Sequence, residues 1–176
     1  NNNWPQDNPK KHMSEMCRLS HVEVARFAIE HQDINVMIKT KWDGIWRESI
    51  LRFLESDGIA IEDVPNLYVS STTDVHSLIR KSRVVIGYGS TTLLESAIYG
   101  RPVIVPRFGE LLDERFQDMI LFPDLADCFD HVYSPEELKE TIAYRWRNPT
   151  ISESVMVSRR NAFERYVSPL DGKAAD

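Results

Sequence analysis

What this sequence has little of narrows its class first. It holds two cysteines, Cys17 and Cys128, among 176 residues. Two cannot build a disulfide framework or a cysteine-only zinc site, and such sparing use fits a reducing compartment. A basic excess is missing too: 21 Lys and Arg stand against 27 Asp and Glu, a net charge of −6 at pH 7. A net acidic chain is a poor general binder of nucleic acid, which leaves room only for a local basic site for a small anion. No apolar run approaches the roughly 20 residues needed to cross a bilayer. No basic stretch followed by an apolar one marks a signal peptide. His12, His21, His31, His76 and His131 are scattered without metal-ligand spacing. There is neither a Gly-Lys-Ser/Thr phosphate loop nor a G-x-G-x-x-G turn, since position 92 is Thr.

What remains is ordinary globular composition, 42 % hydrophobic and 27 % charged, at the length of one domain. Residues 1–19 open on Asn1-Asn2-Asn3-Trp4-Pro5 and read as a polar arm or loop. With no initiator Met, the chain reads as a fragment of a longer polypeptide. The domain is expected over 20–167, with a flexible tail over 168–176. Ser20 and Glu23 have capping-box spacing, and Val22, Ala25 and Ile29 continue at helical period. Ile34–Ile38 alternates like a strand. Trp46, Ile50, Phe53 and Leu54 give a helical stripe that Gly58 is placed to close. Leu67–Val69 is a short strand, and Asp74 caps a helix carrying Val75, Leu78 and Ile79.

Val84-Val85-Ile86 is a continuous apolar run, the pattern of a strand covered on both faces. A helix over Thr91–Tyr99 follows, capped by Ser90, with Leu94, Ala97 and Ile98 inward and Gly100 closing it. Pro102–Pro106 is a buried strand and Cys128–Tyr133 an edge strand. Ser134-Pro135-Glu136-Glu137 is a strong helix start, with Leu138, Ile142 and Trp146 as its stripe. A last helix runs from Ser154 to Tyr166. Strand and helix alternate, so the expected fold is α/β: a Rossmann-like open parallel sheet with helices on both faces.

The chemistry concentrates at Gly87-Tyr88-Gly89-Ser90-Thr91-Thr92, between a strand and a helix. In open α/β sheets ligands bind beyond the carboxyl ends of strands. Glycines let backbone approach a ligand closely, and amides at a helix start favour an anion. Ser90, Thr91 and Thr92 supply three hydroxyls for phosphate oxygens. Glu95 lies one turn beyond Thr91 on the same face, too near for phosphate but well placed for ribose hydroxyls. The plainer alternative is a tight turn with Ser90 as a simple cap. Lys39 and Lys41 can neutralise phosphate charge or be solvated strand-end residues. His76 and Arg107 are readable as ligand contacts or as surface residues. The segment 107–140 carries three bases and ten acids. Within it Glu110, Asp113 and Glu114 suit either a divalent ion or a helix start.

From Asp74-Val75-His76 through Ser82-Arg83-Val84-Val85-Ile86-Gly87-Tyr88-Gly89-Ser90-Thr91-Thr92-Leu93-Leu94-Glu95 to Gly100-Arg101-Pro102, the sequence resembles the donor-binding half of GT-B glycosyltransferases. The likeness is to bacterial enzymes of capsule and lipopolysaccharide synthesis, to CDP-glycerol polymerases, and in layout to UDP-N-acetylglucosamine 2-epimerases. It implies one half of a GT-B fold. It implies a nucleotide sugar as substrate, no further cofactor or metal, and a glycan or lipid-linked acceptor. A separate N-terminal acceptor domain would hold the general base, so the catalytic residues stay unassigned here. The Gly87–Thr92 turn would hold the donor phosphate, Glu95 the ribose, and the loop from Ser71 to Asp74 would lie against the base. A cytoplasmic location, with the full protein at the inner face of the membrane, belongs to the same expectation. One departure stands out: where many such enzymes carry His-Pro, this chain reads Lys39-Thr40-Lys41-Trp42. A noncatalytic α/β interaction module is the reading from a different class.

Overall fold

The computed structural model describes residues 14–41, 44–119, 122 and 124–170. The first helix, α1, spans Ser14–Glu30. It therefore starts inside the expected arm, and residues 1–13 lie outside the described residues. Ser20 does not cap it. That side chain is buried and its hydroxyl donates to the Met16 sulfur at 3.6 Å. The cap comes from far along the chain instead: Glu110 accepts from the N–H groups of Glu15 and Met16, both at 2.9 Å. No local sequence window carries that signal, because the partners are more than ninety residues apart. Val22, Ala25 and Ala28 are buried, whereas Ile29 is exposed.

β1 (Val36–Lys39) follows, then α2 (Ile45–Ser56). Ile50 and Leu54 are buried, but Trp46, expected on the same stripe, is 49 % exposed. The helix closes as its sequence predicts. Gly58 sits at φ +76°, its N–H donates to Glu55 O at 3.0 Å, and Ile59 N–H donates to Leu54 O at 2.9 Å. This paired closure puts Ile59 beside Leu54 in the core. Arg18 and Arg26 of α1 both hold Asp57 at the end of α2.

β2 (Leu67–Ser70) pairs parallel with β1, placing Val36 opposite Leu67. Asp74 caps α3 (Val75–Lys81), accepting from Ser77 N–H at 2.7 Å. β3 (Val85–Ile86), α4 (Thr92–Ile98) and β4 (Val103–Pro106) come next. β5 (Asp130–Val132) is the core of the edge strand expected over Cys128–Tyr133, while Cys128 itself ends a 3-10 turn over Ala126–Cys128. Ser134 caps α5 (Pro135–Arg147), and Ser152 caps α6 (Glu153–Tyr166). Of the expected tail, 168–170 is described and 171–176 is not.

All strand pairs are parallel, so the chain is an α/β protein. In place of the expected single sheet, the described strands form two: β1–β2 and β3–β4–β5. Every residue of β4 is buried. Ile104 faces Leu138 and Ile142 of α5, while Val103 and Val105 face Leu94 and Ala97 of α4 and Ala162 of α6. β3, whose apolar run predicts full cover, is only half-buried. Among the described residues, no strand pairs with its side away from β4.

Candidate functional site

The carboxyl ends of β1, β2 and β3 carry the residues that the sequence singles out. After β3 the chain turns through Gly87 and Gly89. A Cβ on Gly87 would meet the Leu93 side chain at 3.0 Å, so this glycine lets α4 close onto the strand end. Gly89 lies at φ +60°, where a Cβ is strained whatever the space. Gly89, Ser90 and Thr91 are exposed, so the corner opens to solvent. Their three N–H groups meet no acceptor among the described residues.

Ser90 works differently from a simple cap. Thr91, not Ser90, immediately precedes the helix, and its side chain makes no capping bond. The Ser90 hydroxyl accepts from Thr92 N–H at 3.2 Å and donates to the Thr92 hydroxyl at 3.0 Å. The pair closes the turn locally, and Thr91 stays exposed without a side-chain capping bond. Helix α4 has seven residues, shorter than the expected Thr91–Tyr99, and buries Leu93, Leu94, Ser96 and Ala97.

Glu95 faces away from those residues and reaches α3. Its Oε2 lies 3.6 Å from Nδ1 of His76, which is itself exposed. This contact brings α3, which follows β2, against α4, which follows β3. On the far side, the Lys39 ammonium donates to Thr40 O and, at 2.7 Å, to Ser71 O. Lys39 thus ties the end of β1 to the loop after β2. Within that loop, the Ser70 hydroxyl bonds Thr73 at 2.7 Å. Lys41 lies two residues past β1 and is exposed. The Ser77 amide, bonded to Asp74, holds the Asp74 carboxyl below the usual carboxylate range. Asp74 is therefore committed to starting α3.

Tyr88 leaves the group. It packs against the core beside α1, and its hydroxyl lies 2.9 Å from the Cys17 sulfur. Burial pushes both the Tyr88 phenol and the Cys17 thiol upward, so both stay protonated. Two of the acids singled out in 107–140 are engaged as well. Glu110 caps α1, and Asp113 is held by Arg115, which lowers its carboxyl to about 2. Among the described residues no cluster of His, Cys, Asp or Glu suits a metal ion. Arg107 lies just past β4 with its Nε buried and unpaired, and neighbouring His131 has both ring nitrogens buried. Burial, then the Arg107 charge, pushes His131 down, so the ring stays neutral.

A cleft of about 260 Å³ opens elsewhere, lined by Asp130, Arg145, Ile151, Val155 and Arg159. It lies at the amino end of β5, away from the strand ends where the candidate residues gather. Its arginines are already engaged. Arg145 forks onto Asp130 at 2.5 and 2.8 Å, and Arg159 donates to Cys128 O and Arg101 O, both at 2.8 Å. The cleft therefore offers packing rather than chemistry.

No helix among the described residues is long and apolar enough to cross a membrane. Compared with known proteins, the chain matches no family model, no curated protein and no solved structure.

Proposed function

We propose that this chain is a nucleotide-sugar-binding α/β domain, the Rossmann-like donor half of a GT-B-type glycosyltransferase that builds a bacterial surface glycan. One observation carries the reading: α3 and α4, which follow the loops after β2 and β3, approach each other at a solvent-open corner through His76 and Glu95. Parallel strands deliver both loops to the same edge, which is where α/β proteins take ligands. In this reading the exposed amides of Gly89–Thr91 and the Thr91 hydroxyl hold the donor phosphate. Such fixed donors also stabilise charge that grows on a departing phosphate. Glu95 accepts from ribose hydroxyls, and His76 and the loop from Ser71 to Asp74 flank the base. Lys39 shapes that loop through Ser71 O, and Lys41 is exposed two residues past β1. Acceptor and general base belong to a separate acceptor domain.

Titration of the chain with UDP, CDP and CMP, followed by amide NMR shifts, tests the assignment. Saturable shifts at millimolar ligand, centred on 87–95 and 71–76, are expected. Ser90→Ala and Glu95→Ala should each weaken binding while leaving the melting temperature in place. Silence from all three nucleotides at millimolar concentration overturns the assignment. A melting loss without any binding loss reduces Ser90 to a turn residue.

A further inference from the structure

Three helices end on the same side of the larger sheet. α3 leads into β3 and α4 into β4, so both stop at its amino edge, and α5, which starts just past β5, runs back to that edge. The last turns and loops there carry Arg80, Lys81, Arg83, Arg101 and Arg147. Nη2 of Arg101 donates to Arg80 O at 2.7 Å, and the Arg83 guanidinium lies 5.2 Å from the centre of the Trp146 ring. These two contacts join the ends of α3, α4 and α5 into one patch. Arg80, Lys81, Arg83 and Arg147 are exposed, as are Tyr99 and Tyr144, at 47 % and 57 %. On the β5 side the patch stops at Asp127 and at Asp130, which holds Arg145.

No carboxylate answers these five charges. Residues 75–106 hold four bases and a single acid, Glu95, in a chain of net charge −6. Glu95 stands on the first turn of α4, beside His76 at the opposite edge. None of the five cations forms an ion pair among the described residues, whereas Arg18, Arg26, Lys139 and Arg145 each hold a carboxylate. Cations in a last turn complement the helix dipole, which accounts for Arg80, Lys81 and Arg147. It does not account for Arg83, which lies past the end of α3 and rests on Trp146, nor for the Arg101 Nε, which is buried without a partner.

We infer that this edge is a docking surface for an acidic peptide, an extended run of Asp and Glu interrupted by apolar or aromatic residues. Guanidinium forks take carboxylates two bonds at a time, and four of the five cations are Arg. Arg set among exposed Tyr and Trp is the composition of a protein–protein interface centre. Arg83 and Arg101 are already held, by Trp146 and by Arg80 O, which lowers the ordering cost of taking a carboxylate. The rest of the chain is net acidic, so a broad anionic surface such as a bilayer or a nucleic-acid duplex meets repulsion around the patch, whereas a slender peptide does not.

Amide NMR of the 176-residue chain tests this. It is titrated with a capped Glu-Asp-Tyr-Glu-Asp-Leu-Glu-Asp peptide and, at matched charge, with single-stranded oligothymidylate and with vesicles containing phosphatidylglycerol. Saturable peptide shifts are expected at 80–83, 99–101 and 144–147. Binding should weaken at least about five-fold in Arg83→Gln and in Arg101→Gln, since each removes a carboxylate's partner. Arg47→Gln, an exposed cation on α2, should leave the affinity within about two-fold, because a distant surface charge is screened. Arg83→Gln removes no hydrogen bond of the folded chain, so it decides the matter if Arg101→Gln melts early. Absence of peptide shifts overturns the inference, as does a loss in Arg47→Gln equal to that in Arg83→Gln. Tighter binding of the oligonucleotide or the vesicles at this edge also overturns it, and assigns the patch to nucleic acid or to a membrane. The patch is separate from the corner at 87–95, so peptide docking and nucleotide binding succeed or fail independently.

Discussion

The two sheets of this protein are built from similar sequence but differ in cover. In β3–β4–β5, α5 lies on one face and α4 with α6 on the other. β1–β2 packs on α1 and α2 through Ile38 and Leu67, while Met37 and Tyr68 on the opposite face are 38 % and 47 % exposed. Parallel strands are ordinarily covered on both faces. The contrast is that β4 is covered on both faces, whereas one face of β1–β2 stays exposed. It also explains where the candidate site falls, at the boundary between the two halves.

The contrast can be broken most strongly in the covered half. Arg159 is 2 % exposed and donates to carbonyls on three separate segments, Ala97, Arg101 and Cys128. Arg159→Met leaves those carbonyls without their donor and should cost about 3 kcal/mol, read from the urea midpoint. The matching lock in the other half is Asn66, whose amide donates to Ala28 O at 2.9 Å, His31 O at 3.1 Å and Ile34 O at 2.7 Å. Asn66→Ala should cost about 2 kcal/mol. If the Asn66 substitution proves costlier than the Arg159 one, the ranking of the halves reverses.

At the boundary, Gly89→Ala forces a side chain into the left-handed region and should cost about 1 kcal/mol, measured in the same denaturation series. pH sharpens the comparison further, because one half-buried histidine lies in each half. His21 and His131 are both held below the ordinary imidazole value, chiefly by burial. The unfolded chain then binds protons that the folded chain refuses. Stability is full above the unfolded value, near pH 6.5, and falls as pH drops below it. Urea midpoints between pH 7.5 and 5 should decline, and His21→Gln should flatten part of that decline. A midpoint constant across this range contradicts the neutral, half-buried assignment. Smallest of all, Ser152→Ala removes a cap at an exposed helix start, and a loss of about 0.5–1 kcal/mol is expected.

Most helix ends are legible in the local sequence. Gly58, Asp74, Gly100 and Ser134 act at their helix ends as their spacing predicts. Each such signal lies within one turn of what it governs. The candidate site is legible in part. Gly87, Gly89 and Ser90 can be placed from sequence because glycine tolerance and hydroxyl geometry are local. Tyr88 cannot, since its burial depends on Cys17, seventy-one residues away. Glu95 stands out by its spacing from Thr91, but its approach to His76 does not, because two separate helices create it.

The order of residues alone specified the alternation of helices and strands and the caps of α2, α3 and α5, since capping and periodicity act between near neighbours. Folding in space specified that Glu110 would cap α1, that Lys39 would bind carbonyls instead of standing free for phosphate, and that the strands would divide into two sheets. Those outcomes depend on which distant segments come to lie side by side, and no short window of sequence contains both partners.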